Sequence, residues 1–312
     1  MGLIWPALKW AGFFLGINDM AMPKKGKYVS VDGIKTHYYE KGRGKTIILV
    51  HGGNFGSKEA SGNSWTWSRN FDALAEKFHV IAVDKLGQGY TRNPKRDEDY
   101  TMDAVVQHLN SFLRKIKLKN CHLVGHSRGG YVTARLTLEQ PELVSSCICV
   151  DSNTLAPGVG MNEVVLANPP HPPLGRECQR WVLERYSYGH EHIDEDWLDV
   201  LIDIGKQPKH KKAVAKMETQ KLKTRQFMPQ LSSDRADTFS RIRDTGMRRP
   251  TMVMWGFNDP TALLEQGQRL FDLIASTERR AYKHIINSAE HFSMREQADH
   301  FNSVLGGFIE SV

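Results

Sequence analysis

Long apolar runs are absent. No window of about 18 consecutive apolar residues occurs, so the chain shows no candidate spanning helix. Cysteine is scarce: four in 312 residues cannot staple a chain of this length, and no C-x-x-C pair occurs. Reduced thiols in the cytoplasm are the expectation. Cys147 and Cys149 alternate within an apolar run, which places them on one strand face as small hydrophobes. Internal repeats and low-complexity tracts are missing. So is a G-x-G-x-x-G after the first strand, which argues against a nicotinamide site. Neither an organic cofactor nor a metal is expected.

Charge of one sign is only mildly in excess. Lysine and arginine total 42 against 35 acidic residues, a net charge of +7. The basic residues are scattered in short clusters, such as Lys209, Lys211 and Lys212, with no nucleic-acid-binding motif beside them. They read as a solvated surface with a bias toward anionic small molecules. Hydrophobic residues at 40% and charged residues at 25% are ordinary for a globular chain, which excludes disordered, collagen-like and multi-span classes. The length suits one large α/β domain with an insertion.

Residues 3–17 are apolar, with Lys9 inside them. A secretory signal would begin with a basic stretch and end at a small-residue cleavage site; Asp19, Met20, Ala21 and Met22 follow instead. Residues 1–22 are therefore expected as a helical segment on the body of the protein, without membrane contact by 3–17.

From residue 28 the chain alternates strands and helices. Residues 28–31 and 35–40 read as a hairpin around Asp32-Gly33. Residues 46–50, 80–83, 121–124 and 147–150 are apolar, β-branched runs of the kind buried in parallel sheets. Helical spacing covers 67–77, 102–115 and 129–138 between them. From 154 to 242 the pattern changes to charged helices, interrupted by Asn168-Pro169-Pro170-His171-Pro172-Pro173, which cannot be helix interior. Strands resume at 251–255 and 281–286, and a last helix covers 298–312. The expected architecture is an α/β core of residues 23–153 and 243–312 with a helical lid, 154–242, inserted between two strands.

Gly125-His126-Ser127-Arg128-Gly129 fits G-x-S-x-G, and its context is a strand leading in and a helix leading out. That is a nucleophile elbow, a tight turn that lifts a serine hydroxyl over the sheet edge. A serine needs a base oriented by an acid. Asp259 follows strand 251–255, where catalytic groups of open α/β sheets gather; Asp151, after strand 147–150, is its rival. His291 follows the last strand and is the expected base, whereas His284 in a strand and His300 in a helix read as structural. Oxyanion donors are assigned to the N–H groups of Gly53, in the supporting loop His51-Gly52-Gly53, and of Arg128. His126 supports the turn. Trp65, Trp67, Trp181, Trp197 and Phe292 are candidate pocket residues. The Arg128 side chain either faces a substrate anion, meets solvent, or pairs with a lid carboxylate. His190-Glu191-His192 lacks a third ligand at metal-binding spacing and reads as a solvated lid segment.

Over nearly its whole length the chain resembles the α/β-hydrolase superfamily. Within it, Trp255-Gly256, Gln207-Pro208 and the run from Glu296 to Asn302 resemble hydrolases of aromatic meta-cleavage products, which implies carbon–carbon cleavage of a 2-hydroxy-6-oxo-dienoate. The sequence departs from that subfamily at Phe292, where a tryptophan is usual, and at Leu201 and Ile202, near the usual place of a lid arginine. It is also similar to monoalkyl phthalate ester hydrolases. The expectation is therefore a serine esterase acting on a small carboxylated aromatic ester. Carbon–carbon cleavage is the alternative and a non-catalytic ligand receptor the minor one. The expected partner is an anionic small molecule, with no nucleic acid; a homodimer stays open. Epoxide hydrolases and haloalkane dehalogenases share the fold but use Asp as nucleophile, which Ser127 disfavours.

Overall fold

The computed structural model describes residues 22, 23 and 25–312. The expectation for residues 1–21 lies outside them.

Eight strands form one sheet: β1 (Lys27–Val31), β2 (Ile34–Lys41), β3 (Thr46–Val50), β4 (His79–Val83), β5 (Cys121–His126), β6 (Val144–Val150), β7 (Thr251–Gly256) and β8 (Ala281–Ile286). Their spatial order is β1-β2-β4-β3-β5-β6-β7-β8. β1 and β2 form the hairpin at Asp32-Gly33 and β2 joins β4 antiparallel; every later pairing is parallel. Parallel neighbours need crossovers, and helices supply them: α1 (Ser68–Ala75), α2 (Met102–Lys115) and α3 (Arg128–Glu139). Helix α2 begins where Thr101 Oγ1 accepts the Ala104 N–H, a side-chain cap for an otherwise orphan donor.

Both faces of the sheet are covered. Alternation along β3 sends Ile48 and Val50 into one core, with α2 and α3, and Ile47 and Leu49 into the other, with Phe71 of α1. Full burial of such a side chain is worth about 1.5–3 kcal/mol. Cys147 and Cys149 share the first core, their sulfurs 3.8 Å apart. The expected strands match closely. Between β7 and β8 lies α9 (Leu264–Ala275), a helix the sequence reading does not place; Leu270 and Ile274, one turn apart, are its buried stripe. After β8 come α10 (Ser293–Glu296) and α11 (Ala298–Ser311).

Between β6 and β7 the chain is helical and, among the described residues, free of strands. It comprises α4 (Asn162–Val165), α5 (Arg176–Glu184), α6 (Glu195–Lys206), α7 (Pro208–Val214) and α8 (Met228–Thr245), with two wider π-type turns at Ala215–Thr219 and Lys223–Phe227. Arg295 fixes part of this lid to the core. Fully buried, it donates to the Thr66 carbonyl and Ser68 Oγ on one side and to the His192 carbonyl and Asp194 on the other. Its guanidinium lies 3.9 Å from the Trp197 ring centre.

Candidate active site

β5 ends in Gly125-His126, and Ser127 stands between strand and helix with φ 52° and ψ −123°. A non-glycine residue in that region is strained, and the turn holds it because its neighbours are small. A Cβ on Gly125 would sit 2.2 Å from the Gly129 carbonyl oxygen, and one on Gly129 2.2 Å from the Val50 carbonyl oxygen. The spacing of G-x-S-x-G is thus a packing requirement of strand against helix. Ser127 N–H donates to the Val150 carbonyl, and Arg128 opens α3, so its own N–H is one of the orphan donors of a helix start.

The loop after β3 lies against this turn. A Cβ on Gly52 would come 2.9 Å from Ser127 Cβ, so only glycine lets the loop approach; Gly53 has φ 80°. His51 anchors the loop from below. Its Nδ1 donates to the Gly52 carbonyl and its Nε2 accepts the Lys85 N–H. Burial pushes His51 down to about 3, which keeps it neutral.

Asp259 and His291 come together. His291 Nδ1 is 2.7 Å from Asp259 Oδ2, while Asp259 Oδ1 accepts the N–H groups of Thr261 and Ala262 and the Thr261 hydroxyl. Both the imidazole and the carboxyl are buried. Burial works against a charged imidazole, but the Asp259 carboxylate outweighs it and raises His291 above its ordinary value. His126 lies beside them, its ring centre 4.9 Å from that of His291, and its Nε2 donates to the His291 carbonyl at 2.7 Å. The hydrogen bond from Ser127 Oγ to His291 is not made; such bonds often tighten only with substrate in place. Asp151, the rival acid, instead accepts from the Gly256 N–H and is hydrogen-bonded to Ser293 Oγ.

Arg128 corrects an expectation. Its partly buried side chain pairs with no carboxylate among the described residues. It lies against Phe227 of the lid, 5.9 Å from the ring centre, with its Nε buried and unpartnered. Lys85 is buried too, its Nζ donating to the Gly53 carbonyl; burial, then Arg128, lower it well below the usual lysine value. Two basic side chains without a carboxylate partner among the described residues therefore flank the turn. Uncompensated buried charge is costly, and an anionic ligand would relieve it.

The aromatic candidates separate. Phe292 packs beside the site, 5.4 Å from His126 and 5.2 Å from Trp197. Trp67 backs His126 at 6.4 Å from the core side. Trp65 belongs to the core, edge-on to Tyr39 at 6.0 Å, which corrects its place among pocket residues. Trp181 is half-buried on α5 with Arg185 over its ring. His192 binds Ser187 Oγ, and among the described residues no three His, Cys, Asp or Glu side chains gather as a metal site. His284 and His300 face each other at 2.8 Å, remote in sequence from the elbow. Sequence reasoning missed Tyr186, whose carbonyl accepts the His291 N–H and whose ring packs on the imidazole at 5.0 Å. It also missed Thr261, although a Thr two residues after an Asp is a turn signal.

Residues 45–177 match the family model of the alpha/beta hydrolase fold. The chain has the α/β-hydrolase fold. Its relatives include a 2-hydroxy-6-oxo-6-(2'-aminophenyl)hexa-2,4-dienoic acid hydrolase of Metapseudomonas resinovorans, 35% identical over 40% of this chain and 42% of that relative. The chain thus spans less than half of that protein. A 2-hydroxymuconate semialdehyde hydrolase of Pseudomonas sp. (strain CF600) is 25% identical over 92% of this chain and 94% of its own. A meta-cleavage product hydrolase from Pseudomonas fluorescens IP01 superposes with a TM-score of 0.75 at 22% identity, covering 94% of this chain and 99% of that chain.

Proposed function

We propose that this α/β-hydrolase cleaves a small carboxylated carbonyl compound through an acyl-enzyme on Ser127. The observation that carries the reading is the His291–Asp259 contact of 2.7 Å, set beside a serine held at φ 52°. Ser127 Oγ attacks the carbonyl carbon while His291 Nε2 takes its proton, with Asp259 holding the ring and stabilising the imidazolium. The N–H groups of Gly53 and Arg128 receive the oxyanion. His291 returns the proton to the leaving group, then activates the water that frees the acid. The Arg128 side chain faces the substrate carboxylate.

Two bonds compete as the one cleaved. The names of the relatives support a carbon–carbon bond in a dienoate, more directly than the ester expected from the sequence. Ester cleavage stands as a second reading because of Phe292, and because the guanidinium beside the nucleophile is Arg128, with Leu201 and Ile202 on α6. The test is parallel turnover: bleaching of a yellow 2-hydroxy-6-oxo-dienoate, acid release from monobutyl phthalate in a pH-stat, and p-nitrophenyl butyrate as a neutral ester. Bleaching alone assigns the carbon–carbon bond. Acid release without bleaching assigns the ester. Turnover of none of the three overturns the proposal.

A further inference from the structure

Asp151 and Ser152 follow β6, the strand that lies between the nucleophile's strand β5 and the acid's strand β7. Both are fully buried, and Asp151 has φ 46°, the same strained region as Ser127. Their side chains reach three different loops. Ser152 Oγ donates to the Ser127 carbonyl at 2.6 Å. Asp151 Oδ1 accepts the N–H of Gly256, three residues before Asp259, at 2.7 Å. Asp151 Oδ2 lies in a hydrogen bond 2.5 Å from Ser293 Oγ, two residues after His291. The Asp151 N–H adds a bond to the Met254 carbonyl of β7.

We propose that the dipeptide Asp151-Ser152 is a positioning element, which joins the turn of Ser127, the loop of Asp259 and the helix start after His291 to the end of one strand. It rests on the reading of those three residues as the reacting set and adds a reason for their mutual distances. Asp151 does this work uncharged. No cation pairs with it among the described residues, and Asp259 already supplies the negative charge that faces His291. Burial, then the neighbouring Asp259 carboxylate, push the Asp151 carboxyl well above the ordinary range. An asparagine there keeps both contacts, accepting from Gly256 through Oδ1 and donating from Nδ2 to Ser293 Oγ, as the O–H of the uncharged carboxyl does.

The experiment compares the full-length wild type with Asp151→Ala, Asp151→Asn and Ser293→Ala. It measures kcat and KM on p-nitrophenyl butyrate against pH, and the low-field proton NMR resonance of the hydrogen bond between His291 and Asp259. In Asp151→Ala, kcat falls on the order of ten- to a hundredfold with KM little changed, as misplacement of reacting groups by about 1 Å predicts. The low-field resonance shifts or broadens. Asp151→Asn restores kcat to within about threefold, with the acidic limb of the profile unmoved. An anionic Asp151 would raise His291, so its loss would move that limb to lower pH; such a shift overturns the uncharged assignment. Wild-type kcat and resonance in both Asp151→Ala and Ser293→Ala overturn the positioning role. If Asp151→Ala does not fold, Asp151→Asn and Ser293→Ala carry the same comparison. The resonance decides independently of turnover, so failure of the hydrolase reading and failure of this one are distinguishable.

Discussion

His126 Nε2 donates to the carbonyl of His291 across 2.7 Å, linking the residue before the nucleophile to the backbone of the base. The donor is neutral, since burial and then the nearby His291 hold His126 well below its ordinary value. Replacing it with leucine strands a buried carbonyl, at a cost of about 1–3 kcal/mol. His126→Leu should therefore melt at lower temperature and lose kcat more than KM. Calorimetry and steady-state kinetics on one preparation check both.

Asp259→Asn should leave the fold intact and lower kcat by roughly 10⁴, because an asparagine amide stabilises the wrong imidazole tautomer. The Thr261 hydroxyl and N–H still find an acceptor in the new side chain. Labelling of Ser127 by a fluorophosphonate should slow in parallel. Unchanged labelling would transfer the acid role elsewhere.

Arg128→Met separates the side chain from the backbone N–H, which the variant keeps. Turnover of p-nitrophenyl butyrate should stay within about threefold, while kcat/KM on the carboxylated substrate falls by roughly ten- to a hundredfold, the usual size of a lost charged hydrogen bond. The free variant should also melt higher, since it no longer buries an unpartnered Nε. An equal loss on both substrates would deny the side chain its carboxylate.

The pH profile of kcat/KM should fall on the acid side around a value above 6.5. His291 accepts a proton from Ser127 only when neutral, and the Asp259 carboxylate raises it despite burial, so activity is present above the raised value and lost as pH drops through it. His51, pushed to about 3, adds no limb in this range. A limb well below 6.5 would contradict the electrostatics of the pair.

Much of this was legible because it rests on local chemistry. The elbow announces itself: Gly125 and Gly129 are demanded by contacts under 3 Å, so the motif and the packing are the same fact. Asp259 and His291 could be placed from their positions after β7 and β8, the ends where such sheets collect function. The side-chain environment of Arg128 could not. It depends on Phe227, 99 residues downstream on a π-type turn, and on the absence of a nearby carboxylate, neither of which has a local signature. Trp65 failed for a related reason: an aromatic reads alike whether it faces a ligand or Tyr39. Helix α9 has no local signature as clear, because only Leu270 and Ile274 of its apolar residues are fully buried.

Arg295 divides the insertion in two. Its bonds bind the stretch around His192 and Asp194, with Trp197 stacked on it, to the same backbone that carries Trp65 and Thr66. Mechanically, α6 is therefore masonry of the core, although the chain visits it as part of an insert. The insertion's first residues are tied elsewhere, Val159 accepting from Gln266, the Met161 N–H donating to the Thr261 carbonyl and Asn162 Nδ2 to the Tyr186 hydroxyl, while Val159 and Val164 stand exposed. Variation in substrate range among descendants of this chain has its natural quarry at residues 163–168, past those bonds, where residues can change without loosening the wall behind His291.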